Sequence, residues 1–406
     1  MRKSFELEKK LGEKFFGPTR RPNLSGPLLG RRPHLGRGRV RPSSCDRTWS
    51  EVAFGLPPVA CLSCYKKTRL LNYGMSSATR VSRAELLVAE KDERILRKEN
   101  RQLAFRVSDE GLWDLYNRQF ECFWSPSEIE PAKDKGWDSL NAREREFISS
   151  ILAFFATADS IVFDNIDINF CNEVVITEAK FFYGMQAFME NVHSQVYMSL
   201  LTTYVTDVGE QNRLINAIHE IETIKNKAQW AMRYFSQETP FALRLIAFSI
   251  VEGVFFSSAF ASIFWLKKYK KGILDALTLS NSFIARDEGL HTEFAVALFH
   301  RLSYHPLEAD VHELFSSAVD LEAKFVKQAL NSAVVGLDSS KLIEYVRFVA
   351  DRLLVQLGYE PLFLVRNNPL QFMETQSMRV TTNFFESRVS EYSLAQPGSF
   401  AEDVEF

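Results

Sequence analysis

Two acid-x-x-His pairs, Glu190 with His193 and Glu288 with His291, stand out as residues whose types and spacing suit chemistry. At about 100° per residue, a three-residue step keeps both side chains on one helix face, so each pair can present a carboxylate and an imidazole to one object. Tyr197 stands one turn beyond His193 on that face. Chance alone supplies about one such pair in a chain of 406 residues with 51 Asp or Glu and 7 His, so spacing by itself decides little. Two further acids carry more weight. Asp159 shares a helical stripe with Leu152, Phe155 and Val162, and Glu252 is the sole charge among the 22 residues from Leu245 to Leu266. Both should turn inward.

Four acids converging in an apolar interior cannot all stay ionised alone, because each uncompensated buried charge costs several kcal/mol or more. Arg286 could pair with one of them. Two divalent cations would balance Asp159, Glu190, Glu252 and Glu288 together, with His193 and His291 completing three protein ligands per ion. That oxygen-rich donor set suits iron or manganese and disfavours a thiolate zinc site. Ferritin-like bundles hold metal pairs in this way, with a carboxylate from each of two helices and Glu-x-x-His from each of two others. His219, His300, His305 and His312 read as structural or surface residues.

The elements that must carry these groups are helical. Apolar stretches of helical period cover roughly 140–163, 177–205, 212–236, 241–269, 274–303, 308–334 and 338–357, with no useful strand-like alternation. The expected fold is all-α, a ferritin-like di-iron bundle of long helices. Leu245 to Leu266 is long enough to cross a membrane. Glu252 in mid-span and amphipathic neighbouring helices favour a buried central helix instead.

The expected organisation is a basic, disordered extension over 1–100, the helical domain over 101–368 and a flexible tail over 369–406. Residues 1–75 hold 16 Lys or Arg against 5 Asp or Glu, with 7 of the 14 prolines and 8 of the 18 glycines. Such a segment could touch nucleic acid or membrane; the plainer readings are a solvated extension, or sequence upstream of a start at Met75. The whole-chain net charge of −2 makes no general case for nucleic acid, and neither nucleic acid nor membrane is expected as a partner. Five cysteines are too few and too irregular for a secreted disulfide framework. Cys61-x-x-Cys64 has no second pair, and zinc there would have to recruit Cys45 and His34. Acids at Glu6, Glu8 and Glu13 argue against a transit peptide, so a cytoplasmic location is expected. No Gly-rich phosphate loop of the Walker or Rossmann kind is present, so this chain alone should not turn over nucleotide.

Several segments go further: Phe123-Trp124, Phe154 to Asp159, Met189 to Ser194, Val251 to Phe256, Ala285 to His291, Phe348 to Arg352 and Thr382 to Glu386. Together they resemble the small, radical-generating subunit of class I ribonucleotide reductase, eukaryotic type, over about 105–406. The resemblance implies two iron ions per subunit, oxo-bridged after reaction with O2, with a manganese–iron pair as the alternative. It puts the ligands on Asp159, Glu190, His193, Glu252, Glu288 and His291, and a stable tyrosyl radical on Tyr197. Phe256, Phe260 and Ile284 would line the radical's apolar pocket, and a hydrogen-bonded chain would run from His193 through Asp287 to Trp124. Tyr392 would relay the radical to the large subunit, which reduces ribonucleoside diphosphates to deoxyribonucleotides for DNA synthesis. Phe400, Asp403 and Phe406 would dock that subunit, and the chain would form a homodimer. A ferritin-like ferroxidase or a di-iron oxygenase would share the ligands but need neither Tyr197 nor the anchored tail. The basic arm has no counterpart in this resemblance.

Overall fold

Short polar signals start the helices that bring these residues together. Ser82 and Glu85 form a reciprocal capping box on α1 (Arg83–Ala89), Asp109 caps α2 (Glu110–Glu121), and Asn141 and Glu144 form a second box on α3 (Ala142–Asn165). In each case a side-chain oxygen accepts from a backbone N–H that the first turn leaves without a partner. The bundle continues with α4 (Thr177–Tyr204), α5 (Glu222–Tyr234), α6 (Phe241–Ile250), α7 (Ser257–Tyr269), α8 (Asp275–Phe299), α9 (Glu308–Ala329) and α10 (Ser339–Gln356). Asp134 caps α8 from a distant loop, accepting from the N–H groups of Ala276 and Leu277 at 2.8 and 3.1 Å. Gly358, at φ +87°, ends α10 in a left-handed turn that only glycine adopts without strain.

The computed structural model describes residues 78–101, 103–329 and 337–373. All six expected ligands, Tyr197, Trp124, Asp287 and the three pocket residues fall within them; Tyr392, Phe400, Asp403 and Phe406 lie outside, as does the basic segment 1–75. Helix α4 packs between α2 and α3, while α6 and α7 pack on α8. Their shared interior is one apolar cluster that includes Phe155, Phe182, Phe248, Phe260 and Phe294. The run Phe241–Tyr269, apolar enough to span a bilayer, is 94% buried inside the protein over its most apolar stretch, in agreement with a central core helix.

Three expectations need correction. First, the extension is not 100 residues long, because residues 78–100 fold onto the body. Strand β1 (Thr79–Val81) pairs in parallel with β2 (Tyr304–Pro306), and Leu86 and Ile95 are buried in the core. Buried Glu93 accepts from the N–H groups of Ser303 and Tyr304, and the Arg80 guanidinium donates to the Gly358 carbonyl at 2.8 Å. Much of what docks this segment is polar, so hydrophobic periodicity could not reveal it. Second, the stretch 212–236 is broken into Val208–Ile215, Ala217–Glu220 and α5. The first break falls at Asn216, whose backbone leaves the helical region at φ −94° and ψ 25°, and both its backbone N–H and its side-chain amide donate to the Asn212 carbonyl, at 3.1 and 2.8 Å. Third, 241–269 is not one α-helix: Val251–Phe255 winds as a π turn between α6 and α7. A π turn inserts one residue, so it changes which side chains face inward, and such turns occur often at functional sites. This one carries Glu252.

Candidate metal centre

Helices α3, α4 and α8 and the π turn each bring acid into the same interior volume. Asp159 comes from α3; Glu190 and His193 from α4; Glu252 from the turn; Glu288 and His291 from α8. All six are at most 2% exposed. Their ligand atoms fall into two groups whose members lie within 4.8 Å of one another: Asp159, Glu190 and His193, and Glu190, Glu252, Glu288 and His291. Glu190 belongs to both.

The imidazoles show how the groups are shared. His193 Nδ1 lies 3.4 Å from Glu190 Oε2 and 3.2 Å from Glu288 Oε1, while His291 Nδ1 lies 3.2 Å from Glu190 Oε1 and 3.1 Å from Glu288 Oε2. Each of these two carboxylates therefore spans both imidazoles, one oxygen to each. Sequence reading shared the six side chains as three ligands per ion; Glu190 and Glu288 are the two whose carboxylates lie between the imidazoles.

Such a cluster is tolerated in two ways only. Among the described residues, both oxygens of Asp159, both of Glu190, one each of Glu252 and Glu288, and Tyr197 Oη find no hydrogen-bond partner. Buried polar atoms normally find partners, and a set of orphaned oxygens facing two imidazole nitrogens is what a pair of cations would fill. The residues fit a dinuclear metal site. Without cations, protons must take their place. Burial and then the Glu190 charge push the Asp159 carboxyl well above its usual range, and burial with the Glu288 and Glu190 charges does the same for Glu252, despite His291. Burial opposes charge on the imidazoles, yet the surrounding acids raise both His193 and His291 well above an ordinary histidine.

The sign of the pH dependence follows. Asp159, Glu252, His193 and His291 each bind the proton more tightly folded than unfolded, while Glu190, held down at about 2 by the two imidazoles against its burial, opposes them only below its ordinary 4.5; the metal-free protein therefore loses stability as pH rises above 4.5, and again above the histidine value of 6.5. Metal uptake displaces these protons and strengthens in the same direction. The metal-free melting temperature should fall between pH 6 and pH 9 while the gain on adding Mn(II) grows. Scanning calorimetry checks this, and a flat gain across that range would contradict the proton-for-metal exchange.

Asp287 ties the centre to Trp124, a buried indole just beyond the end of α2. Its Oδ2 lies 3.2 Å from His193 Nε2 and accepts from Trp124 Nε1 at 2.7 Å, and its Oδ1 accepts from Arg286 Nε and Nη2 at 3.1 and 2.9 Å. Burial would raise this carboxyl, but Arg286, then His193 and Trp124, outweigh it and hold it below the usual carboxylate range. An ionised Asp287 accepts the Nε2 proton of His193, so that Nδ1, once its own proton is displaced, would turn its lone pair to a cation among the acids. Arg286, expected beside one of the four acids, serves Asp287 instead.

Tyr197 is 2% exposed, and its ring lies flat on Phe155 with centroids 4.7 Å apart. Phe256 and Phe260 reach this assembly through Phe155, at 5.6 and 4.9 Å, and Ile284 is fully buried. Burial, with Asp159 the next cause, pushes the phenol well above its usual value, so it stays protonated. Sequence reading missed Phe155 as the stacking partner, although it lies one turn before Asp159, and missed Gln186, whose Nε2 donates to Glu252 Oε1 at 2.8 Å. Gln186 stands four residues before Glu190, and that spacing was the available signal. His300 and His305 are structural, set against the carbonyls of Gln356 and Phe299.

Comparison with known proteins agrees with this geometry. Residues 101–369 match the family model described as ribonucleotide reductase, small chain. The chain is 43% identical over 325 residues to ribonucleoside-diphosphate reductase subunit M2 of Homo sapiens, covering 78% of this chain and 83% of that one. It is 43% identical over 313 residues to the ribonucleoside-diphosphate reductase small chain of Variola virus, covering 76% of this chain and 97% of that one. Among solved structures, the ribonucleotide reductase Rnr4 homodimer of Saccharomyces cerevisiae superposes with a TM-score of 0.66 at 30% identity, covering 82% of this chain and all of that one.

Proposed function

The chain belongs to the ribonucleotide reductase small-chain family, and on that premise we propose that it carries a tyrosyl radical on Tyr197, generated beside a di-iron centre held by Asp159, Glu190, His193, Glu252, Glu288 and His291. It is the small subunit of a ribonucleoside-diphosphate reductase. The observation that carries the radical assignment is Tyr197 itself: a buried, protonated phenol with no hydrogen-bond partner among the described residues, stacked in an aromatic sleeve one turn from a ligand histidine. Neither a ferroxidase nor an oxygenase requires that residue.

Bound iron would supply the reduction of O2 and accept the electron that leaves the tyrosine. The protein's own residues do the rest. Burial, and after it the nearby Asp159 charge, hold the proton on Tyr197 Oη. Phe155 covers the ring, and the surrounding apolar side chains exclude water and reductants, which lets the radical persist. His193, Asp287 and Trp124 form a continuous hydrogen-bonded path along which a further electron reaches the centre. A cavity of about 80 Å3 abuts Glu252 and Glu288, lined further by Thr292 and Arg352, and gives small molecules a place beside the acids.

In this reading the chain acts as a homodimer, and the radical passes through Tyr392 to the large subunit. Phe400, Asp403 and Phe406 hold that partner, two aromatic anchors flanking an acid in a short segment. Deleting 400–406 should abolish nucleotide reduction in the reconstituted complex while leaving the tyrosyl radical signal of the isolated subunit unchanged. Loss of both would refute the docking role. The primary test is electron paramagnetic resonance on protein loaded with Fe(II) and exposed to O2. A tyrosyl signal supports the proposal, and diferric absorbance without any radical supports a ferroxidase or oxygenase. Metal analysis after loading from mixed Fe(II) and Mn(II) distinguishes the di-iron from the manganese–iron form.

A further inference from the structure

The bundle buries a second pair of charges that the radical chemistry does not use. Lys227 on α5 is 2% exposed and Glu322 on α9 is fully buried, with Nζ 2.5 Å from Oε2. Ser258 on α7 donates its hydroxyl to the other oxygen of Glu322. Nζ also lies 3.4 Å from the ring centroid of Phe154 and 4.4 Å from that of Phe325. A buried ion pair is a poor way to stabilise a core, because desolvation can cancel its attraction and apolar residues of similar volume often do as well. Its position suggests another use.

Lys227 Nζ donates to the carbonyl of Phe255 at 3.0 Å, the last residue of the π turn. The preceding carbonyl, of Val254, accepts from the Ser257 hydroxyl at 2.7 Å. Side chains thus hold two successive carbonyls where the turn returns to α-helix. Glu252 lies three residues before Phe255. The residue after it, Phe256, packs edge-on against both Phe154 and Phe155, the latter stacked on Tyr197.

We propose that Lys227, clamped by Glu322, is a positioning residue for the metal centre: it fixes the register of the π turn so that Glu252 faces His291 and Phe256 closes the aromatic sleeve. The clamp touches neither metal nor substrate and acts through the Phe255 carbonyl. This proposal rests on the dinuclear reading above.

The test is the paired replacement Lys227→Met with Glu322→Leu in the full chain. Both charges go and volume is nearly kept, and Ser258 can return to its own helix as Ser262 does, onto the Ser258 carbonyl at 2.7 Å. Metal-free protein is titrated with Mn(II), with free ion read from its six-line resonance and wild type run in parallel. The variant should melt within a few degrees of wild type, bind one ion normally and bind the second about tenfold or more weakly, the scale of losing an outer support of a ligand. An unchanged isotherm beside a wild type that takes two ions overturns the clamp alone. A wild type that does not take two ions overturns the dinuclear reading, and the clamp with it. If the pair does not fold, Glu322→Gln loosens Lys227 while keeping the acceptor for Ser258. Weakening of the second ion by about threefold or more then supports the clamp, and a lower melting temperature with an unchanged isotherm refutes it.

Discussion

Tyr197→Phe should leave a folded, metal-loaded protein with no radical and with nucleotide reduction in the complex lowered by about a thousandfold or more, the scale expected when a group essential to the reaction is removed. The expectation that folding survives comes from the hydroxyl's surroundings. Its oxygen has no hydrogen-bond partner among the described residues, so phenylalanine strands none of their polar groups and keeps the ring stacked on Phe155. Melting temperature and metal content should match wild type. Electron paramagnetic resonance after Fe(II) and O2 reads the radical, and substrate reduction with the large subunit reads the activity. A persistent tyrosyl signal, or activity near wild type, would remove Tyr197 from the mechanism. Phe155→Leu separates the sleeve from the radical site: the radical should form but decay faster, because a smaller side chain admits solvent to the phenol's face.

Glu190→Gln should have the second large effect, larger with metal than without it. Glu190 is the acid common to both ligand groups and spans both imidazoles, so its loss weakens both ions, by more than the tenfold to hundredfold typical of a ligand's outer support. Ligand binding stabilises a protein by about 2.7 kcal/mol per site at a hundredfold excess over Kd. Most of that gain for two sites should vanish from the variant's melting curve in Mn(II). In chelator the loss should shrink but keep its sign. Burial would raise the Glu190 carboxyl, but hydrogen bonds and charge from His193 and His291 outweigh it and hold it down at about 2, so its ionised form supports the metal-free fold and Glu190→Gln should melt below metal-free wild type as well. Calorimetry with and without chelator tests both halves. A variant more stable than wild type in chelator would mean that repulsion against Asp159 and Glu252 is the governing term.

What lay in the sequence was local: spacing along one helix determines which side chains share a face. Glu190, His193 and Tyr197 repeat at helical intervals, Asp159 sits on a stripe with Leu152 and Val162, and Glu252 is alone in an apolar run. Chain order alone therefore told which acids turn inward, and the cost of burying them implied cations. The long helices were equally legible because their apolar period extends over many turns. Tertiary structure decided what depends on contacts between separate elements. Glu190 and Glu288 each span two imidazoles, Arg286 serves Asp287 and not one of the four acids, and Phe155 is the ring that covers Tyr197. The π turn at Glu252, the Lys227 contact to it and the docking of residues 78–100 through Glu93 and Arg80 belong to the same class. Periodicity records the angle at which a side chain leaves its own helix. It carries no record of the neighbouring element that the side chain meets, and that meeting sets the charge, the bridging and the exclusion of water at this site.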